Sequence, residues 1–447
     1  MADTKNQLEL LADLIDTALR QGADAADAIV FNASAVSISC RLGNLEKLER
    51  SESKDLGLRV FVGRQQAIVS STDFEQETLK DVASRAVEMA KVAPEDPYCG
   101  IAYPDQLVID PPTLEICDTA EPNNETLIDA ARTAEDAARS IAGITNSEGA
   151  EAGRSSARIA IAASNGLAQS YQTSSYSLAA SVLAGEGTAM ERDYDYSSSV
   201  FYSDLTDPAK IGRNAGERAV KRLNARKVET QQVPVVYDPR VSSGIVRHFA
   251  GAINGSSISR GTSFLKDCLG QKIFRDGINV VDDPHRNRGL RSKPFDAEGL
   301  PNCKKYLAEN GVLTTWVLDL ASARQLELES TGNAARSTAS PPSPAVTNLF
   351  MEAGDKSPTE LVSDITSGFY VTELIGMGIN MVTGDYSRGA AGFWIENGEI
   401  SYPVTEITIA GNLKDMFANL VPADDLEFKS GIDAPTLRID GMTVAGS

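Results

Sequence analysis

The chain has 447 residues, 42% of them hydrophobic, enough to bury a substantial core and to form two or three domains. Against 42 basic residues it carries 62 acidic ones, a formal charge of -20 that repels phosphate backbones and argues against direct DNA or RNA binding. The only histidines are His248 and His285, and the five cysteines (Cys40, Cys99, Cys117, Cys268, Cys303) are scattered without a C-x-x-C pair. Histidine-based catalysis, a disulfide framework and a cysteine metal cluster all lack their raw material.

In chain order, Leu8, Leu11, Ile15 and Leu19 share one helical stripe. Acidic residues interrupt it and no cationic segment precedes it, so the sequence predicts a helix of the folded domain rather than a secretion signal. No apolar run approaches the roughly 20 residues that a membrane-spanning helix needs, so a cytoplasmic protein without membrane contact is expected. Strands are predicted over residues 28–32, 36–42, 56–61 and 66–71, with a turn at Gly63-Arg64. Thr72 and Glu75 have capping-box spacing ahead of an amphipathic helix through Leu79, Val82, Ala86 and Met89. A Pro-rich connector follows near residues 94–122.

A third helix is predicted over Glu125 to Ala142, ending at Gly143, then a hairpin of strands 157–164 and 168–183 around Asn165-Gly166, and a helix from Pro208 to about Leu223. The main boundary is expected between residues 225 and 235, giving an α+β domain over 1–230 and a β-rich domain over 231–447. In the second half, strands are expected at 314–319, 369–375 and 406–410, and helices at 242–253 and 358–366. Prolines 341, 342 and 344 remove ladder donors from residues 337–345, which should form a loop, a connector rather than a lid.

Familiar chemistry is sparse. There is no G-x-S-x-G elbow, no phosphate-binding glycine loop, and Gly376-Met377-Gly378 is better suited to a tight turn. Asp193 and Asp195 supply two oxygen ligands of an incomplete cation shell and are read as a solvated acidic edge. Glu373, Asp385, Glu396, Glu399 and Glu406 are candidates for acid–base work if strand ends bring two together. Arg388, Trp394, Asn397 and Tyr402 stand among Gly389, Gly392 and Gly398, either as a tight hairpin with Trp394 in the core or as a peptide or subunit contact.

The run from Thr383 to Phe417 carries Gly384-Asp385-Tyr386-Ser387-Arg388-Gly389, Glu396-Asn397-Gly398-Glu399 and Ala410-Gly411-Asn412-Leu413-Lys414-Asp415-Met416. With the closing Pro435 to Gly446, it resembles the TldD/PmbA family of bacterial metallopeptidase subunits. The resemblance implies H-E-x-x-x-H on a helix of the zinc-holding subunit, with a later cysteine. Here the matching stretch is Arg247-His248-Phe249-Ala250-Gly251-Ala252, and no cysteine follows Cys303. Arg247 and Ala252 offer no metal donor. The resemblance therefore points to the PmbA (TldE) branch: a subunit with no cofactor or catalytic residue of its own, beside a TldD-like partner that carries zinc. It implies unfolded peptides as substrate, held along strand edges, and relatives associated with modulating DNA gyrase. The alternatives are a stand-alone carboxylate-dependent hydrolase and a regulatory homodimer.

Overall fold

The computed structural model describes residues 2–446. Its first half holds α1 (Ala2–Arg20), β1 (Ala25–Arg41), β2 (Asn44–Val62), β3 (Gln65–Ser71), α2 (Gln76–Val92), α3 (Asn124–Arg139), β4 (Ile144–Ala163), β5 (Ala168–Ala184), β6 (Glu191–Ser199) and α4 (Pro208–Lys221). The six strands make one antiparallel sheet in the order β3-β2-β1-β4-β5-β6.

Period-two alternation decides what each face of this sheet meets. On β1 the even positions Ala26, Ala28 and Val30 pack with α1 and α2, and Val36, Ile38 and Cys40, on the same face, pack with α3 and α4. The segment between them is where cover passes from one helix pair to the other. Its small residues, Ala33, Ser34 and Ala35, therefore mark a change of helices rather than the end of the strand, and the two predicted strands are one. The odd positions Asp27, Ile29 and Phe31 point the other way, toward the second half of the chain.

That half contains β7 (Gln231–Tyr237), α5 (Pro239–Ala252), α6 (Gly255–Ser259), β8 (Val280–Asp282), β9 (Lys305–Glu309), β10 (Val312–Leu313), α7 (Leu320–Gln325), β11 (Ala334–Ala335), β12 (Ser343–Pro344), β13 (Leu349–Met351) and α8 (Pro358–Val362). It ends with β14 (Ser367–Ile375), β15 (Asp385–Glu396), β16 (Glu399–Asn412), α9 (Leu413–Asn419), β17 (Leu420–Pro422), β18 (Ile432–Asp433) and β19 (Leu437–Ala445). Strands β16, β15, β14, β7 and β19 pair in succession, and β16 also pairs with β19, so the five close into a ring with β17 as an appendage. A second sheet, β10-β9-β8-β13-β18, lies on the other side of α5, which packs against β7 and β14 and against β13 and β18. The chain is thus α+β, with strands dominating its second half.

Several local expectations change. No capping box opens α2; Asp73 instead accepts from the Glu75 amide (2.9 Å) and the Thr78 hydroxyl (2.7 Å). Residues 314–319 form no strand and contribute only one bridge, Val317 to Asn254. The predicted helix at 358–366 stops at Val362. Pro344 does enter a two-residue ladder, which needs no amide from it.

Candidate functional site

Helix α5 is the element on which the family resemblance would place an altered H-E-x-x-x-H pattern. Asp238 caps it by accepting from the Arg240 amide at 3.0 Å, Pro239 occupies the first turn, and Ser242, Ile245, Val246, Phe249 and Ala252 form its buried face. Positions five apart on an ideal helix are turned by about 140°. Accordingly Arg247 is exposed, whereas Ala252 is fully buried in the core. A guanidinium and a methyl on different faces cannot hold a zinc ion, and no cysteine follows Cys303 to complete a set.

His248, between them, is half-buried, its ring edge-on to Tyr386 at 6.0 Å. Burial, together with Arg388 and Arg247, pushes its pKa down to about 4, so the imidazole is neutral and a weak base near neutral pH. The Tyr386 hydroxyl is buried without a hydrogen-bond partner, and burial raises its pKa to about 12. Tyr237 donates to Met442 Sδ at 3.4 Å. This cluster has neither nucleophile nor matched acid and base. His285 belongs to a loop, its Nε2 at 2.7 Å from Asn302 Oδ1.

The candidate carboxylates scatter along β14 to β16. Glu373 pairs with Arg222 at 2.5 Å, Asp385 accepts from Thr383 at 2.6 Å, and Glu406 meets Lys227 at 2.9 Å. Glu396 and Glu399 do face each other across the turn of Asn397 and Gly398, both of positive φ, yet both lie open to solvent. An exposed pair lacks the dry surroundings that separate the pKa values of an acid and a base.

The four predicted contact residues do not form one surface. Trp394 is 4% exposed and belongs to the core of the second half. Arg388 is half-buried, with Nε donating to the Ile375 carbonyl at 3.3 Å, Asn397 is exposed at the turn, and Tyr402 lies under the Arg226 guanidinium at 4.4 Å.

Asp193 and Asp195 are not a solvated edge. Both are buried on β6: Asp193 accepts from Arg240 at 2.7 Å and faces Arg222 at 3.8 Å, and Asp195 accepts from Arg218 at 2.8 Å and from Asn214 at 2.7 Å. Arg240 on α5 and Arg222 after α4 thereby tie the first sheet to the second half. No local pattern signals this, since the cations lie 23 to 47 positions away from their carboxylates. Among the described residues, no group of three or more His, Cys, Asp or Glu side chains is placed to hold a metal, and no helix is long and apolar enough to cross a membrane.

Three family models match in succession: PmbA/TldA metallopeptidase domain 1 over residues 26–90, the central domain over 117–223, and the C-terminal domain over 230–446. The chain is 36% identical over 451 aligned positions to the metalloprotease PmbA of Escherichia coli O157:H7, covering 100% of this chain and 98% of that protein. Among solved structures it is similar to a candidate modulator of DNA gyrase from Bacteroides thetaiotaomicron, with a TM-score of 0.91, 27% identity and 98% of both chains covered. TldE from Thermococcus kodakarensis shares the fold, with a TM-score of 0.87 at 21% identity over 98% of this chain and 100% of that one.

Proposed function

The chain belongs to the PmbA/TldD metallopeptidase family, and on that premise we propose that it is the subunit without zinc ligands, working beside a TldD-like partner that binds the metal and acting with it on unfolded peptides. The reading rests on α5, where by the family resemblance Arg247 and Ala252 would fall at the two histidine positions; one is exposed and the other buried, and neither has a donor for zinc. Without those ligands the hydrolytic chemistry has to come from the partner, and this chain's share is to bind partner and peptide.

In this reading the end of the β15–β16 hairpin, with Asn397 and Tyr402, makes one contact and Arg388, farther back along β15, makes another, while Trp394 anchors the hairpin from within the core. Five unpaired cysteines suit a reducing cytoplasm. The dispersal of Glu373, Asp385, Glu396, Glu399 and Glu406 weighs against a carboxylate-dependent hydrolase acting alone.

The test is to assay cleavage of an unfolded peptide, with zinc content, for this chain alone and after mixing with the zinc-motif relative from the same cell. Zinc and activity confined to the mixture is the expected result. Cleavage by the metal-free chain alone would sink the proposal, and stable self-association without capture of the relative would favour a regulatory homodimer.

A further inference from the structure

The helix-free face of the first sheet forms one wall of a groove of about 320 Å³, and loops of the second half around Lys293 to Asp296 and Ala335 to Arg336 form the other. Ile29 and Phe31 of β1, Ile161 of β4 and Tyr171 of β5 make the sheet side apolar. The loop side is cationic. Arg336, with a side chain only 1% exposed, donates from Nη1 to Asp27, while its Nε and Nη2 have no hydrogen-bond partner. Buried donors left in that state forfeit their hydration without compensation, so they call for an acceptor.

Asp27 cannot supply more. Its other oxygen already takes Arg59 Nε at 2.8 Å and Nη2 at 2.5 Å, so two guanidiniums share one carboxylate. Glu298, the next acid near Arg59, is pushed up to about 8 by burial and by Asp296, and so stays protonated at neutral pH. That cluster is left with excess positive charge, and Arg291 adds a further cation to the groove lining. Lys293 also lines the groove; protein encloses it closely enough that burial lowers its ammonium pKa, with Asp296 offsetting part of that cost.

We propose that this groove binds a monocarboxylate attached to an apolar or aromatic body, the carboxylate lying toward Lys293 and Arg336 and the body against Phe31, Ile29 and Tyr171. Asp296, which shares the lining, disfavours a dianion such as a phosphate ester. The volume is at the lower end for small-ligand sites and suits one or two residues of a peptide. The chemistry fits the last residue of a peptide and equally a free aryl or branched acid. The site stands on the groove itself and is independent of the subunit role above.

The experiment is calorimetric titration of the purified full chain with N-acetyl-leucyl-phenylalanine, with its C-terminal amide, and with 3-phenylpropionate. The acid should bind at least about ten-fold more tightly than the amide, and Lys293→Gln should weaken the acid by about ten-fold or more without affecting the amide. Phe31→Asp, at a partly exposed position, should abolish acid binding and serves if Lys293→Gln fails to fold. Equal affinity for dipeptide acid and 3-phenylpropionate would identify a free small acid as the ligand, and preference for the dipeptide would identify a peptide end. Absence of acid binding at millimolar concentration, no preference for acid over amide, or unchanged affinity in both variants would overturn the proposal.

Discussion

The two faces of the first sheet are built from the same strands but obey different rules. The helix-covered face is mainly apolar, closed by α1 to α4 with Leu56, Leu58, Val60, Ala160 and Leu178 beneath them, and carries buried charge at its β6 edge, where Asp193 and Asp195 lie. The opposite face buries Asp27 and Arg59 among Ile29, Ile159 and Ile161, and adds to that pair a second guanidinium, Arg336, which lies 309 positions from Asp27 in the chain. An apolar face tolerates small changes of shape gradually. A face of paired charges fails when one partner is lost, because the desolvation already incurred is no longer compensated.

The sharpest way to break this comparison is Asp27→Asn, which leaves Arg59 and Arg336 buried without a counter-charge. A loss of about 3–5 kcal/mol is expected in urea unfolding, and a loss below about 1 kcal/mol would show that the charges are not confined as described. On the other face, Leu58→Ala removes a fully buried side chain and should cost about 2–4 kcal/mol with an unchanged denaturant slope.

Glu298→Gln sharpens the contrast through pH. Between the ordinary carboxylate range and about pH 8, the folded chain holds a proton on Glu298 that the unfolded chain has released. Stability from this group is therefore complete below that window and falls as pH rises through it. The variant should flatten the fall, measured as melting temperature from pH 5 to 9, whereas Leu58→Ala should leave its slope unchanged. The smallest effect belongs to Lys47→Ala, which breaks a 2.8 Å pair with Glu49 at an exposed stretch of β2 and should change stability by no more than about 0.5 kcal/mol.

The difference between the faces also governs what could be read from the sequence. Alternation in β1 and the apolar stripe of α5 are local patterns that packing enforces, so the strand, the helix and the α+β class were legible. The interval Ala33 to Ala35 in β1 reads as a break because a change of covering helices interrupts the apolar alternation just as the end of a strand does. Asp193 and Asp195 were mistaken for a wet edge because Arg218, Arg222 and Arg240 come from other elements. In α5, residue identity alone shows that Arg247 and Ala252 offer no metal donor, but only the helix geometry separates the two onto different faces. The groove was invisible in any local window, since one wall comes from residues 29–173 and the other from residues 290–346.

Ring closure in the second half has a consequence for synthesis. All strands of the first sheet have been made by Ser199, but β7, which starts at Gln231, pairs with β19, which ends at Ala445. The first unit can therefore fold while translation continues, whereas the ring waits for almost the last residue, and its strands emerge in sequence with open edges. Ribosome-bound chains stalled near residue 250 should already protect the first sheet from protease, and chains stalled near residue 430 should leave the second half open to cleavage. Protection of the second half at that later stall point would show that the ring can assemble before its closing strand has been made.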